Sequence, residues 1–192
     1  MDVTVVSGVP GVGASRVSEG ARGELGAGYE LVNMGDVMLE EAAVRGLVST
    51  RDDLATVPLG ELRQLQRRAG EYVASRARGN QLIVNTHLVV ATVHGFVAGL
   101  PDVVLEDVDP NRFVLIESDP DLIAERRRDE TYREYREHGA RSIGFHQDLV
   151  RAAAMAYTAS SGAPVRFIDN SGPLEDAVAD LVSIVSGADP AD

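Results

Sequence analysis

V-T-V-V-S-G-V-P-G-V-G-A-S-R, running from Val3 to Arg16, joins strand-favouring residues to a glycine-rich turn and then to a segment able to form a helix. This is the order of a phosphate-binding loop, G-x-x-x-x-G-K-[S/T], in which a buried strand delivers the chain to backbone N–H groups and a helix N-terminus that together hold phosphate. Gly8 and Gly13 stand at the two glycine positions, Gly11 lies between them, and Ser15 offers a hydroxyl to Mg²⁺ or phosphate. Ala14 stands where the motif carries lysine. The nucleotide-binding reading therefore takes in Gly8, Val9, Pro10, Gly11, Val12, Gly13, Ala14 and Ser15, with Ser15 as the metal contact. Arg16, in the first turn of the expected helix, is added as a cation that could swing toward the phosphates, against the alternative of a helix arginine pointing to solvent.

Working outward, the missing lysine is a property of the whole chain. All 18 basic residues among the 192 are arginine, against 30 acids, giving a formal net charge of −12. Such an acidic protein is a poor partner for nucleic acid or anionic membranes, whose phosphates need basic patches. An acid-rich surface without lysine fits adaptation to high salt, where repulsion between carboxylates is screened. An acidic protein from a GC-rich genome has the same composition. There is no cysteine, so disulfides, thiolate metal sites and cysteine catalysis are excluded. No apolar run reaches the roughly 18 residues of a membrane span, and no basic start precedes an apolar stretch as in a signal peptide, so a soluble, cytoplasmic protein is expected.

Apolar periodicity and glycine punctuation predict strands at Val3–Ser7, Tyr29–Asn33, Gln81–Asn85, Phe113–Glu117 and Val165–Ile168. Helices are predicted at Ala14–Leu25, Val37–Val44 with Asp36 as its cap, Leu59–Ala77, Pro120–His138, Ser142–Ser161 and Pro173–Val185. Thr86–Pro101 reads as one long functional loop. Short apolar strands alternating with helices argue a five-stranded parallel sheet with helices on both faces. Ligands in such sheets bind beyond the carboxyl ends of the strands. Gly35 and Asp36, Asn85 to His87, Glu117 to Asp119, and Asp169 to Ser171 all fall there.

Eight segments in order then resemble the archaeal type of adenylate kinase over nearly the full chain. They are G-V-P-G-V-G (Gly8–Gly13), N-M-G-D-V-M (Asn33–Met38), R-D-D-L (Arg51–Leu54), T-H (Thr86–His87), G-F-V-A-G-L-P (Gly95–Pro101), R-R-R-D-E-T (Arg126–Thr131), A-A-M-A-Y (Ala153–Tyr157) and S-G-A-P-V-R-F-I-D-N (Ser161–Asn170). The resemblance implies Mg²⁺-dependent, reversible transfer of a phosphoryl group from ATP to AMP, giving two ADP. It also implies the P-loop kinase fold in one domain over residues 1–192, with a monophosphate-binding segment at about 35–79, a lid at about 126–142, and assembly as a homotrimer. By position, Arg51 is assigned to the AMP phosphate, Arg126 and Arg128 to ATP at the base of the lid, and Arg151 to the transferred phosphoryl. Gly35, His87 and Asn170 join the nucleotide-binding set. Arg133, Arg136 and Arg141 are lid arginines among which position does not choose.

Arginine suits this task because its planar fork bonds phosphate bidentately and keeps its charge. Arg126 to Arg128 read equally well as a solvated helix face paired with neighbouring acids. Asn85 replaces the aspartate that the family commonly has before Thr-His, which leaves metal binding to Ser15, phosphate and water, with Asp119 or Glu117 as further candidates. His87 reads as a residue orienting the AMP side of the loop; His94, His138 and His146 read as ordinary loop, helix or solvated residues, and no histidine stands at metal-ligand spacing. Two alternatives stay open: another P-loop kinase of small molecules, or a catalytically weak nucleotide-binding module, the latter suggested by Ala14 and Asn85 together.

Overall fold

A computed structural model describes residues 2–128 and 140–188. The predicted sheet forms. Its strands are β1 (Asp2–Ser7), β2 (Tyr29–Asn33), β3 (Gln81–Asn85), β6 (Arg112–Glu117) and β7 (Val165–Asp169), all parallel, in the order β2-β3-β1-β6-β7. β1 lies at the centre, with Val6 opposite Asn85 of β3 and Ser7 opposite Leu115 of β6. The central strands are apolar without alternation because both faces are covered: Val5, Val6, Ile83, Val84, Phe113 and Leu115 are all fully buried. The helices are α1 (Ala14–Leu25), α2 (Met34–Val44), α3 (Leu59–Ala77), α4 (Asp102–Val108), α5 (Pro120–Arg128), α6 (Ala140–Ser161) and α7 (Leu174–Ser186). α1 packs on α7, while α3 packs on α2 and α4.

Local chemistry explains the boundaries. α1 starts directly after Gly13 and stops at Gly26, whose φ is +75°. On α3, Leu62, Leu65, Ala69 and Val73 recur at helical spacing and are buried, as their periodicity demands. α2 ends where Gly46, with φ +68°, lets Leu47 N–H return to Ala42 O at 2.9 Å.

Three expectations change. The cap of α2 is Asn33, whose Oδ1 accepts from Gly35 N–H at 3.0 Å, so the helix begins at the end of β2 and Asp36 is left in its first turn, with its carboxylate available for other work. Residues 86–101 are an antiparallel hairpin, β4 (Val89–Thr92) and β5 (Gly95–Ala98), turning through Val93 and His94. The hairpin is stable because both flanking helices grip it: Gln66 of α3 donates to Ala98 O at 2.9 Å, and Tyr157 of α6 donates to Leu88 O and accepts from Leu100 N–H. α4 was not expected at all; its Val104, Leu105 and Val108 are buried. The helix predicted over Pro120–His138 is seen as α5 as far as Arg128, and the rest of it lies outside the described residues.

Candidate functional site

The loop from Gly8 to Gly13 leaves the end of β1 and is held from outside, carbonyl by carbonyl. His87 Nδ1–H, just beyond β3, donates to Gly8 O at 2.9 Å. Arg127 Nε–H, from α5, donates to Pro10 O at 2.7 Å. Asn170 Nδ2–H, just beyond β7, donates to Val12 O at 2.8 Å, and Arg126 reaches the same oxygen at 3.3 Å while bonding Asn170 O at 2.9 Å. In a trans peptide the C=O of one residue and the N–H of the next point oppositely, and every peptide described is trans. Tying the oxygens of Gly8, Pro10 and Val12 outward therefore turns the N–H groups of Val9, Gly11 and Gly13 inward, an arrangement suited to an anion. Gly13 has to be glycine: its φ is +96°, and a Cβ there would lie 2.6 Å from Asn170 Nδ2.

These tethers reassign several residues. Arg127 is only 5% exposed, so the arginine triplet is not a solvated face. It lies one turn after buried Ile123 of α5 and shares its inward face, a direction the sequence reading does not give to any one of the three arginines. Arg128 is exposed, as is Arg16 in the first turn of α1. His87 serves the phosphate loop itself. His146 is buried and its Nε2–H bonds Val89 O at 3.2 Å, so it is part of the hairpin's anchorage. His94 is exposed at the hairpin turn. His138, Arg133 and Arg136 lie outside the described residues, as does the side chain of Arg141.

On the other side of Ser15 opens a cleft of about 300 Å³, lined by Ser15, Glu19, Leu31, Asn33, Asp36, Arg51 and Asn85. Asn85, at the carboxyl end of β3, donates from Nδ2 to Ser15 Oγ at 3.0 Å. Arg51 reaches across to Asp36, with Nε 2.8 Å from Oδ1 and a second, shorter contact from its NH2 group. Gly35 lies beside the Arg51 guanidinium, where a Cβ would fall 3.7 Å from Arg51 Cζ and Nε. Arg151, in contrast, is held by carboxylates: Nε and NH2 bond the two oxygens of Glu117 at 2.7 and 3.0 Å, and NH1 bonds Asp148 at 2.8 Å. The hydrogen bonds to Glu117 push its guanidinium pKa further up.

Among the described residues no group of three or more carboxylate or histidine side chains is assembled around a metal. The neutral Ser15 and Asn85 fit a magnesium ion that arrives on phosphate oxygens and borrows one hydroxyl, rather than a resident metal held by protein carboxylates.

Comparison with known proteins gives this geometry its place. The chain is 41% identical to an adenylate kinase of Methanothermobacter thermautotrophicus over 186 residues, covering 96% of this chain and 100% of that one. The chain belongs to the adenylate kinase family. A Methanopyrus kandleri adenylate kinase is 45% identical with 95% and 97% covered, and one from Pyrococcus furiosus is 38% identical with 95% and 94% covered. The AAA domain family matches residues 7–143. Among solved structures, shikimate kinase from Bacteroides thetaiotaomicron superposes with a TM-score of 0.63 at 14% identity, covering 96% of this chain and 98% of that one. A gluconokinase from Sinorhizobium meliloti gives 0.54 at 16% identity, covering 97% and 93%. Those two likenesses bear on the fold alone: a P-loop kinase sheet with helices on both sides. The activity of an adenylate kinase family member is that of a nucleoside monophosphate kinase, a phosphotransferase.

Proposed function

We propose that the protein transfers a phosphoryl group reversibly between ATP and AMP, with Mg²⁺, giving two ADP. The observation that carries this reading is that Ser15 belongs to two sites at once: it closes the phosphate loop and lines the Arg51 cleft. A donor nucleotide on the loop and an acceptor monophosphate in the cleft then meet across that residue. Phosphoryl transfer asks little covalent help of a protein; it asks for alignment and for charge placed where the moving group is.

The inward N–H groups of Val9, Gly11 and Gly13 hold the donor phosphates, and the α1 N-terminus adds its partial positive charge. Arg126 and Arg127, bonded to the carbonyls of the same loop, polarise those peptides and stand in for the cation that Ala14 lacks. Arg51 receives the AMP phosphate by leaving Asp36, an exchange of one carboxylate for a doubly charged anion. Gly35 supplies a close backbone approach beside it. Arg151 and Arg128 are assigned to the transferred phosphoryl and to ATP; the lid expected at about 126–142 lies mostly outside the described residues. The Ser15 hydroxyl, with phosphate oxygens and water, would hold Mg²⁺, which would supply positive charge beside the phosphates. The mobile parts, the homotrimer and a cytoplasmic, salt-adapted existence belong to the same proposal; they are supported by the family resemblance and by composition, and no described helix is long and apolar enough to cross a membrane.

The test is ADP formation from ATP and AMP with Mg²⁺ at high and low KCl, with other monophosphates and small alcohols offered in parallel as acceptors. ADP formed with AMP bears the reading out. Phosphorylation of another acceptor in preference to AMP, or nucleotide binding without any turnover, overturns it.

A further inference from the structure

Arg151 is gripped by two carboxylates of unequal standing. Glu117 ends β6, and its neighbour Ile116 lies against the start of the phosphate loop, where a Cβ on Gly8 would come 2.7 Å from Ile116 O. This stretch is fixed from both sides. Glu117 O accepts from Asn170 N–H at 2.7 Å, and Gln147, buried one turn before Arg151 on α6, bonds both the N–H and the C=O of Ser118 at 3.4 and 3.2 Å. The Glu117 carboxylate therefore stands on firmly held backbone beside the loop. Its two oxygens take Nε and NH2 of Arg151 at 2.7 and 3.0 Å, and its side chain is 23% exposed. Asp148, three residues before Arg151 on α6 and 70% exposed, holds NH1 at 2.8 Å.

We infer that Glu117 is a positioning residue for Arg151, and that Asp148 holds the place of a phosphoryl oxygen. A guanidinium offers two bidentate edges in one plane. Glu117 occupies the edge of Nε and NH2, which fixes that plane and leaves NH1 and the remaining N–H of NH2 as the second edge. Asp148 touches only NH1, from a solvated side chain, and an exposed ion pair of this kind contributes little. A phosphate oxygen displaces it, while the less exposed, two-bonded Glu117 stays. With both oxygens on Arg151, Glu117 serves the arginine rather than a metal. The Glu117–Arg151 pair is neutral as a unit, so Arg151 acts through aimed N–H donors more than through net charge. Their direction matters most while the phosphoryl group is between donor and acceptor.

The inference rests on the proposed phosphotransferase reading, with Arg151 meeting the transferred phosphoryl. It is tested by the split between kcat and KM in ADP formation from ATP and AMP, with melting temperature measured alongside. Glu117→Gln should lower kcat about tenfold or more, while KM for ATP and for AMP does not rise, because aim is lost and a negative charge is removed. In an Arg151→Met background the same substitution should change kcat by less than about twofold. Asp148→Asn should hold or raise kcat, by no more than about fivefold. Arg151→Lys keeps the charge and has no second edge, so its kcat should fall to within about threefold of that of Arg151→Met. A lower melting temperature for Glu117→Gln with kcat unchanged makes the pair a strut and overturns the inference while leaving the phosphotransferase reading intact. A fall in kcat for Asp148→Asn as large as that for Glu117→Gln overturns it too. If Glu117→Gln does not fold, Arg151→Lys decides alone, and turnover near that of the wild type refutes the two-edged arrangement. Absence of ADP formation by the wild type overturns both the inference and the reading it rests on.

Discussion

Replacing Arg127 with methionine separates the charge behind the phosphate loop from the packing beneath it. The side-chain stem lies against Gly11, where a Cβ would come 2.8 Å from Arg127 Cγ, and methionine keeps that apolar contact. What is lost is the bond from Nε to Pro10 O at 2.7 Å and the cation itself, in a side chain only 5% exposed. A hydrogen bond from a charged donor contributes about 1.5–3 kcal/mol, so the variant should lose stability in that range and unfold at a lower temperature. The charge matters separately. At an effective dielectric of about 20, a unit charge some 8 Å from a phosphate is worth about 2 kcal/mol per phosphate charge, roughly thirtyfold in ATP affinity. In an ADP-forming assay KM for ATP should therefore rise about thirtyfold while KM for AMP stays within about twofold, and Arg127→Lys should recover part of the loss. If the melting temperature falls and KM for ATP does not move, Arg127 is a strut only, and the argument that outer arginines replace the loop lysine fails.

Gly13→Ala forces a side chain onto φ +96° and into Asn170 Nδ2; it should cost on the order of 1–3 kcal/mol in stability and abolish ATP binding measured by calorimetry. Arg51→Ala should raise KM for AMP by about tenfold to a hundredfold and leave KM for ATP unchanged in the same assay; equal changes in both would remove Arg51 from the acceptor cleft. Tyr157→Phe leaves Leu100 N–H buried without its acceptor and should cost about 1–3 kcal/mol in chemical denaturation. Burial pushes the Tyr157 hydroxyl above its ordinary value of 10.0. A raised folded-state pKa gives stability that is complete below the unfolded value and is lost as pH rises through the folded one, so wild-type stability should decline above pH 10.0 more steeply than that of Tyr157→Phe.

The parts of the fold that could be read in the sequence are those in which one signal dominates. α1 and α3 follow a 3.6-residue apolar period closed by glycine or a charged turn, and β1, β3 and β6 are continuous apolar runs of a sheet buried on both faces. The hairpin of residues 86–101 was hidden because its strands are four residues each and its turn, Val93-His94, lacks the Asn-Gly or Asp-Gly that marks a tight connection. Its stability comes from Gln66 and Tyr157, which are distant in sequence. α4 is short and rich in β-branched valine, so propensity argued against it. At the site, glycine spacing identified the loop and the polar residues at strand ends identified its surroundings. What spacing could not supply was direction: which of Arg126, Arg127 and Arg128 turns inward depends on how α5 sits against the loop, and that is settled by the burial of Ile123.

The carbonyl tethers also give Ala14 a physical meaning. A loop lysine does two things: it brings a charge to the phosphates, and it orders itself on binding at a cost of about 2 kcal/mol in rotamer freedom. Here the loop's direction is fixed beforehand by His87, Arg127 and Asn170 on three of its carbonyls, so the N–H groups are aimed before a nucleotide arrives and that ordering cost is already met in folding. The positive charges sit on the outer side of the peptides, one of them almost fully buried. Added salt screens such charges far less than it would a lysine in an open site. For a chain whose net charge is −12, a cradle built on backbone dipoles and the buried Arg127 should keep its attraction for phosphate under ionic conditions that would weaken a solvent-exposed cation.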